Sequence, residues 1–215
     1  LDDEYFYILH DLRLRDGTGY FQIDLLILTL NFGLIVEVKN IYGTITFDQM
    51  GQAIRTTDEG KDDGFANPIL QVSLQKRRLR NWLRMNKIPI FPIENTVVYS
   101  NPRTIVRTLS NQKEVNETVI HKEKPVEKID HFNAIHKTSA LTKEHLISLT
   151  KLLIQSHQTD DSNVLSKYQI HQNELLRGVF CPECHSLPMT YDSGRWRCSQ
   201  CGFISKTAHV SKFRG

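Results

Sequence analysis

Four cysteines near the end of the chain give the strongest chemical signal in the sequence. They form two Cys-x-x-Cys pairs, Cys181 with Cys184 and Cys198 with Cys201, separated by thirteen residues. Four thiolates at this spacing can surround a zinc ion tetrahedrally. The alternatives are two disulfides or a redox pair, but a disulfide across two intervening residues is strained. We therefore predict a structural zinc site, which leaves no open coordination position for catalysis.

A second set of chemically capable residues lies in a stretch that is otherwise almost wholly apolar. The pattern predicts strands at residues 20–30 and 34–39, joined by a short turn that contains Gly33. Such a short connection favours an antiparallel hairpin. The polar side chains near the open end of this hairpin are therefore expected to lie together.

The register of this hairpin decides which polar residues meet. A turn centred between Asn31 and Phe32 would put Asp24 opposite Lys39, and a register shifted by two would put it opposite Glu37. Strand alternation places Glu37 and Lys39 on one face in either case. We therefore expect one cluster of two carboxylates and an ammonium group.

This cluster suits phosphodiester hydrolysis. The carboxylates of Asp24 and Glu37, with the Val38 carbonyl, are hard oxygen ligands of the kind that Mg²⁺ or Mn²⁺ prefers. A bound ion would polarise the scissile phosphate and activate a water, while Lys39 orients that water or stabilises the developing negative charge. The alternative is a surface ion pair between strand ends, which is common in proteins.

Further elements place this hairpin in an α/β domain. Residues 5–14 and 96–99 have the composition of strands. Asn67 followed by Pro68 predicts the start of a helix that ends near residue 86, and Thr142 predicts the cap of a second helix. The helix after Asn67 offers six residues for a buried face, Ile69, Leu70, Leu74, Leu79, Trp82 and Leu83.

Composition excludes several classes of protein and names no partner. The chain has 215 residues, of which 40% are hydrophobic and 24% charged, and its net charge is +3. These values are typical of a globular protein, and no apolar run reaches the roughly 18 residues of a membrane span. Because the cysteines are spaced for metal binding rather than scattered as in disulfide-rich proteins, we expect a cytoplasmic protein without a membrane partner.

Basic and aromatic residues are interleaved around the cysteines. Arg195, Trp196 and Arg197 could follow a phosphate backbone and stack on exposed bases. The alternative is that Trp196 belongs to the small core of the module while the charges are solvated. Composition does not separate these two interpretations.

The helix that follows Asn67 carries a basic run. Lys76, Arg80 and Arg84 are spaced by four residues and therefore share one helix face. They are candidate contacts for a nucleic-acid backbone, and a solvated outer face is the equal alternative.

The order of motifs resembles the nuclease-related domain, NERD, a relative of the PD-(D/E)xK nuclease superfamily. The resemblance rests on residues 21–28, the turn with its glycine, residues 34–40, Gly43 and residues 67–71, and covers about residues 1–82. The zinc-ribbon spacing near the C-terminus agrees with it, because NERD domains are often fused to such ribbons.

The resemblance implies roles for individual residues. Asp24 and Glu37 would be metal ligands, Lys39 the catalytic lysine, and Gln71 the polar helix residue that completes the site. Gln71 lies in the first turn after Asn67, where a helix N-terminus favours anions such as phosphate. The family also has an N-terminal helix with an acidic residue, which we expect to precede Leu1.

Together these patterns predict an architecture and a function. Residues 1–160 are expected to form a restriction-endonuclease-like mixed sheet flanked by helices, residues 161–177 a linker with helical character, and residues 178–215 a zinc ribbon. The leading hypothesis is a Mg²⁺- or Mn²⁺-dependent endo- or exodeoxyribonuclease that acts on DNA, or on RNA, with the ribbon gripping the substrate. The alternatives are a non-catalytic nucleic-acid-binding module and a protein-interaction module on the same scaffold.

Overall fold

A computed structural model describes residues 6–48, 50–108, 113–159, 165, 168–175 and 178–208 of the chain. The chain divides into two compact units, Leu1–Asp160 and Asp161–Gly215. Within the described residues, the first unit contains two sheets with several helices, and the second contains a small three-stranded sheet. The predicted α/β class with mixed sheets is confirmed.

The first unit is built on two sheets. Along the chain its elements are β1 (Tyr7–Asp16), β2 (Gly19–Leu28), β3 (Gly33–Lys39), β4 (Gly43–Phe47), β5 (Ala53–Thr56), β6 (Asp62–Phe65), α1 (Pro68–Met85), β7 (Ile93–Tyr99), β8 (Thr104–Thr108), α2 (Lys113–Thr118), β9 (Val119–His121), α3 (Pro125–Ile135) and α4 (Lys143–Ser156). The larger sheet has the order β1-β2-β3-β7-β9, and the smaller has the order β6-β5-β4-β8. In the larger sheet β1, β2 and β3 are antiparallel neighbours, whereas β3, β7 and β9 run parallel.

The hairpin of β2 and β3 turns one residue earlier than a turn centred between Asn31 and Phe32. Thr29 is the reason: its hydroxyl donates to the Phe32 carbonyl at 2.9 Å and accepts from the Phe32 N–H at 3.0 Å. This side-chain turn fixes the register in which Leu25 lies opposite Val36. Continued by one residue, the register puts Asp24 level with Glu37, which is the second of the two predicted arrangements.

Strand alternation divides the first unit into two cores on opposite faces of the larger sheet. One face of the sheet packs against α1 and α4, and its buried residues include Leu26, Leu28, Ile35, Val97 and Tyr99. The other face packs against α3, and its buried residues include Ile27, Leu34, Val36 and Val98. Since side chains alternate along a strand, Glu37 and Lys39 share the face of Ile35. The polar cluster therefore faces α1.

Helix α1 has the predicted start and end, and four of the six residues predicted for its buried face are buried. The Asn67 side chain accepts from the Ile69 N–H at 2.8 Å, and Asn86 is the C-terminal cap. Leu70 and Leu74, expected on the buried face, are 62% and 45% exposed. The buried stripe keeps the predicted Ile69, Leu79, Trp82 and Leu83 and has Val72 and Gln75 in place of Leu70 and Leu74. Two glutamines of α1 are thereby directed to the sheet.

Helix α4 begins as predicted. The Thr142 hydroxyl accepts from the His145 N–H at 3.2 Å, which caps the helix. Leu146, Leu149 and Leu153 are buried in the same core as α1. In the part of the chain that the structure describes, no helix is long and apolar enough to cross a membrane.

Two strands of the smaller sheet follow strands of the larger sheet in the sequence. Strand β4 comes after β3, and β8 comes after β7. Gly43 begins β4 with φ of +110°, and a Cβ there would lie 2.7 Å from the Thr56 carbonyl oxygen of β5. This close approach explains why the position carries glycine. The turn at Gly43 directly follows the end of β3, where the polar cluster lies.

The second unit contains β10 (Thr190–Asp192), β11 (Arg195–Arg197) and β12 (Ile204–Ser205) in an antiparallel sheet. Its core consists of Cys181, Met189, Cys198 and Ala208, with Val179, Trp196 and Phe203 packed against it. Before the sheet, the described residues contain a short 3-10 helix, Gln172–Glu174. So small an apolar core makes the cysteines central to the stability of this unit.

Candidate functional site

The candidate site lies where β3 ends and α1 begins. Lys39 Nζ lies 2.5 Å from Glu37 Oε1 and donates to Gln71 Oε1 at 3.0 Å. The Glu37 side chain is 2% exposed and the Lys39 side chain 20%. The ammonium group is therefore held between strand and helix, with part of its surface open to solvent. The structure brings together the three residues that the sequence singled out here.

Asp24 joins this group from the neighbouring strand. Its Oδ2 accepts a hydrogen bond from the Val38 N–H at 2.9 Å. Because a strand residue directs its N–H and C=O to the same side, the Val38 carbonyl also points towards Asp24. Two carboxylates and one backbone carbonyl thus converge at the open end of the hairpin.

Gln75 is part of the site and was not predicted from the sequence. Its Nε2 donates to Glu37 Oε2 at 2.7 Å, and the side chain is buried. Its Oε1 is buried without a hydrogen-bond partner among the described residues. Gln75 lies four residues after Gln71, one helical turn along the same face, and this spacing is the signal that could have identified it.

Asp11 is a third carboxylate near the site, contributed by β1. The β1–β2 register pairs His10 with Leu25 and Leu12 with Ile23, so that Asp11 falls opposite Asp24. Its backbone adopts φ of +49°, which is uncommon for a residue with a side chain. Two adjacent polar residues inside an apolar strand, His10 and Asp11, are the sequence signal for this irregularity.

The surroundings of Asp24 disfavour its charged form. Burial is the main cause that raises the pKa of this carboxyl above its usual value, and the charges of Glu37 and Asp11 raise it further. The Val38 N–H and the Lys39 ammonium act in the opposite direction. A partly buried carboxylate held next to another carboxylate is a common feature of sites that bind cations or move protons.

The donor set fits a hard divalent cation. Asp24 uses Oδ2 to accept from Val38, which leaves Oδ1 for other ligands. Both Glu37 oxygens are engaged, with Lys39 and with Gln75, although a carboxylate oxygen has two lone pairs and can accept more than one contact. Asp24, Glu37 and the Val38 carbonyl are therefore the residues that could hold such an ion.

The four cysteines of the second unit cluster as a metal site requires. All four Sγ atoms lie within 4.8 Å of one another, and two of the pairs, Cys181 with Cys201 and Cys184 with Cys198, are 3.5 Å apart. Tetrahedral zinc with Zn–S bonds of about 2.3 Å needs sulfurs about 3.8 Å apart. The cluster is compatible with zinc.

The two cysteine pairs have the same local geometry. The Cys181 N–H donates to the Ser186 carbonyl and the Cys198 N–H to the Phe203 carbonyl, five residues ahead in each case. His185 and Gly202 occupy equivalent positions after each pair, with φ of +57° and +73°. His185 is thus the left-handed residue of the first turn, a role that the sequence did not indicate.

Comparison with known proteins adds one finding to this geometry. Residues 1–100 match the family model of the nuclease-related domain, NERD. No curated protein and no solved structure matches the chain. The NERD match covers β1 to β7 and therefore every residue of the Asp24 and Lys39 cluster. It indicates a nuclease-related function and, with it, nucleic-acid binding.

The basic residues of α1 follow Gln71 along the helix, away from the Asp24 and Lys39 cluster. Lys76 Nζ forms an ion pair with Glu94 at 3.2 Å, and its side chain is 20% exposed. Arg80 and Arg84 are exposed. The helix rises about 1.5 Å per residue, so Arg84 lies roughly 20 Å along α1 from Gln71. The structure thus brings Arg80 and Arg84 onto one open face and ties Lys76 to β7.

The basic and aromatic residues of the second unit lie on its first hairpin. Arg195 and Arg197 are exposed on β11, and Trp196 between them is half-buried. The Trp196 ring packs against the cysteine core, and its centroid lies 4.9 Å from that of Tyr191, which is 61% exposed. Trp196 therefore has a structural role, and Tyr191 is the more exposed ring of the pair.

Proposed function

We propose that this protein is a divalent-metal-dependent nuclease that hydrolyses phosphodiester bonds in DNA, on a scaffold related to PD-(D/E)xK nucleases. The observation that carries the proposal is the placement of Lys39 between Glu37 and Gln71, with Asp24 level with Glu37. The NERD match over residues 1–100 supports it. The zinc ribbon is proposed to assist in binding the substrate.

Each residue of the cluster has a definite task in this proposal. Asp24, Glu37 and the Val38 carbonyl hold Mg²⁺ or Mn²⁺, which when bound polarises the phosphate and lowers the pKa of a water molecule. The Lys39 ammonium directs the attacking water towards the phosphorus and balances the charge that develops on the phosphate oxygens. Gln71 and Gln75 hold Lys39 and Glu37 in position.

Electrostatics support this division of tasks. The pKa of Asp24 is raised chiefly by burial, so a cation beside it would favour the charged form that the fold alone disfavours. Glu37 is buried and hydrogen-bonded on both oxygens, which fixes its orientation before any substrate arrives. Such preorganisation reduces the reorganisation needed during reaction.

Nucleic-acid contacts are proposed outside the cluster as well. Arg195 and Arg197 of the ribbon are the proposed contacts with the phosphate backbone, and Trp196 is the proposed stacking residue. For Lys76, Arg80 and Arg84 of α1 the case is weaker, because Arg80 and Arg84 line a cavity that also has an aliphatic part. The exposure of both ribbon arginines and of Tyr191 supports the ribbon contacts. Lys76 of α1 is already held in an ion pair with Glu94.

A second candidate function is a non-catalytic nucleic-acid-binding or protein-interaction module. Its support is that the Glu37 carboxylate is already satisfied by Lys39 and Gln75, as in a structural ion pair. A module of this kind would bind nucleic acid in a salt-sensitive manner and would not cleave it.

A cleavage assay separates these two candidates. Labelled single- and double-stranded DNA, and RNA of the same sequence, are incubated with the protein and Mg²⁺ or Mn²⁺. We expect metal-dependent cleavage that is lost in Lys39→Ala and Asp24→Ala, and retained in Lys61→Ala, whose lysine is exposed on a different loop. Cleavage that is equal in wild type and Lys39→Ala would reject the site, and binding without cleavage would favour the second candidate.

A further inference from the structure

A cavity of about 450 Å³ lies at the C-terminal end of α1, separate from the site described above. It is formed by the last turns of α1 and by the segment that leads into β7. Gly33 lies opposite Ile93 at the start of the parallel strands, whereas Lys39 lies opposite Tyr99 at their end. The cavity and the carboxylate cluster are therefore at opposite ends of β3.

The lining of this cavity combines two chemical characters. Its aliphatic part includes Leu83, Ile88, Pro89 and Ile93, and its charged part consists of Arg80, Arg84 and Lys87. None of the described residues that line it is acidic. A lining with three cations and no acidic residue of its own attracts anionic groups.

Ile90 is the most unusual residue of the lining. It is 99% exposed, although it lies between Pro89 and Phe91 in a loop that holds it at the cavity. A single exposed aliphatic residue is ordinary, but here it continues an apolar surface that is already concave. Burial of such a side chain against an aliphatic partner favours association.

We infer that this cavity docks an acidic peptide segment that carries aliphatic side chains. The carboxylates of the segment would pair with Arg80, Arg84 and Lys87, and its aliphatic side chains would cover Ile90 and fill the space above Leu83. Charge complementarity and the apolar lining together specify this partner. The inference is independent of nuclease activity.

The lining favours a peptide over a nucleic acid. Nucleic acids bind through phosphates and through stacking of bases on exposed aromatic rings. Phe91 is the aromatic residue of the lining, and it is only 5% exposed, so its ring is not a stacking platform. Aliphatic surface between the cations is instead the kind of surface that aliphatic side chains contact.

A binding measurement with defined probes tests the inference. A short fluorescein-labelled peptide of glutamates and leucines is titrated with the full chain and followed by fluorescence anisotropy. We expect saturable binding that is weakened about tenfold by Arg80→Glu and about tenfold by Ile90→Asp, since each removes an interaction of roughly 1.4 kcal/mol. Both residues are exposed, and Glu at position 80 is flanked by Lys76 and Arg84 at helical spacing, so the fold is preserved.

Matched controls identify the surface. Arg77→Glu changes an exposed arginine of the same helix outside the cavity, and Val126→Asp changes an exposed valine, 65% exposed, in the first turn of α3. We expect neither variant to change the affinity more than about twofold. Equal loss in Arg77→Glu and Arg80→Glu, or no effect of Ile90→Asp, would overturn the inference.

Other probes distinguish the remaining partners. A peptide with lysine in place of glutamate is expected not to bind. Oligothymidylate and vesicles of phosphatidylglycerol are tested with the same variants. If Arg80→Glu and Ile90→Asp weaken the binding of either probe but not the binding of the acidic peptide, the surface belongs to nucleic acid or to a membrane and the inference is rejected. Absence of saturable binding by the acidic peptide rejects it as well.

Discussion

The Asp24 carboxylate accepts the N–H of Val38 at 2.9 Å, and the register of β2 and β3, continued by one residue, puts Asp24 level with Glu37. Two like charges are thus held side by side at the edge of an apolar core. The raised pKa of Asp24 expresses the cost of this arrangement, with burial as its main cause. A carboxylate whose surroundings disfavour its negative charge is more typical of a functional site than of a structural ion pair.

Asp24→Asn should therefore stabilise the fold while it removes metal-dependent activity. A raised pKa in the folded state means that the protonated form is preferred, so the contribution of Asp24 to stability is lost as the pH rises through that pKa. Asparagine resembles the neutral acid and still accepts from Val38. We expect a higher Tm than wild type at pH 7 and no difference below about pH 4, which thermal unfolding across pH measures. A lower Tm at pH 7 would contradict the argument.

Asp11→Asn should shift the titration of Asp24 to lower pH. The charge of Asp11 raises the pKa of Asp24 from the opposite strand, and removal of that charge lowers it. Carboxyl chemical shifts followed by NMR report the shift without any need for activity. If the variant is active, the acid limb of its pH–rate profile should move in the same direction. Asp130→Asn, on the exposed face of α3, should leave both unchanged.

The sequence predicts much of this arrangement because its signals are local. Alternation in β2 and β3, the Asn67 cap of α1 and the two Cys-x-x-Cys pairs each depend on residues close in the chain. The register, Asp11 and Gln75 depend on contacts between distant segments. The hydroxyl of Thr29 moved the turn by one residue, and that shift decided which residue faces Asp24.

The buried pair of Asp16 and Arg78 should make the first unit sensitive to acid. Arg78 donates two hydrogen bonds to Asp16, from Nε at 2.8 Å and Nη2 at 2.6 Å, and these hold the pKa of the carboxyl well below its usual range. A lowered pKa means that the stabilisation is present above the ordinary value of 3.8 and is lost as the pH falls below it.

Asp16→Asn tests this contribution. The Asp16 side chain is 2% exposed and that of Arg78 17%, so the variant leaves a largely buried guanidinium without its charged partner. We expect a loss of about 3 kcal/mol in the free energy of unfolding at pH 7, measured by urea titration. The difference from wild type should shrink as the pH falls below 3.8. A constant difference across this range would mean that shape, not charge, is responsible.

His185 and Gly202 occupy equivalent positions in the two cysteine turns, so removing the side chain of one and adding a side chain to the other should have opposite effects on zinc affinity. Both residues follow a cysteine pair in the left-handed region, where a side chain costs about 1 kcal/mol. His185→Gly should therefore tighten zinc binding about fivefold, and Gly202→Ala should weaken it by a similar factor, because metal binding and folding of the ribbon are coupled. Competition with a colorimetric chelator measures both.

Glu183→Gly is the matched control, because Glu183 lies between the cysteines of the same turn and is not among the residues with positive φ. Glycine there gains no relief of strain and adds freedom to the unfolded chain, so we expect weaker zinc binding. If His185→Gly also weakens binding, His185 contributes contacts to the ribbon that outweigh its backbone strain. Equal affinities for His185→Gly and wild type would show that the two turns, despite their shared hydrogen bonds, differ in how much they constrain the zinc site.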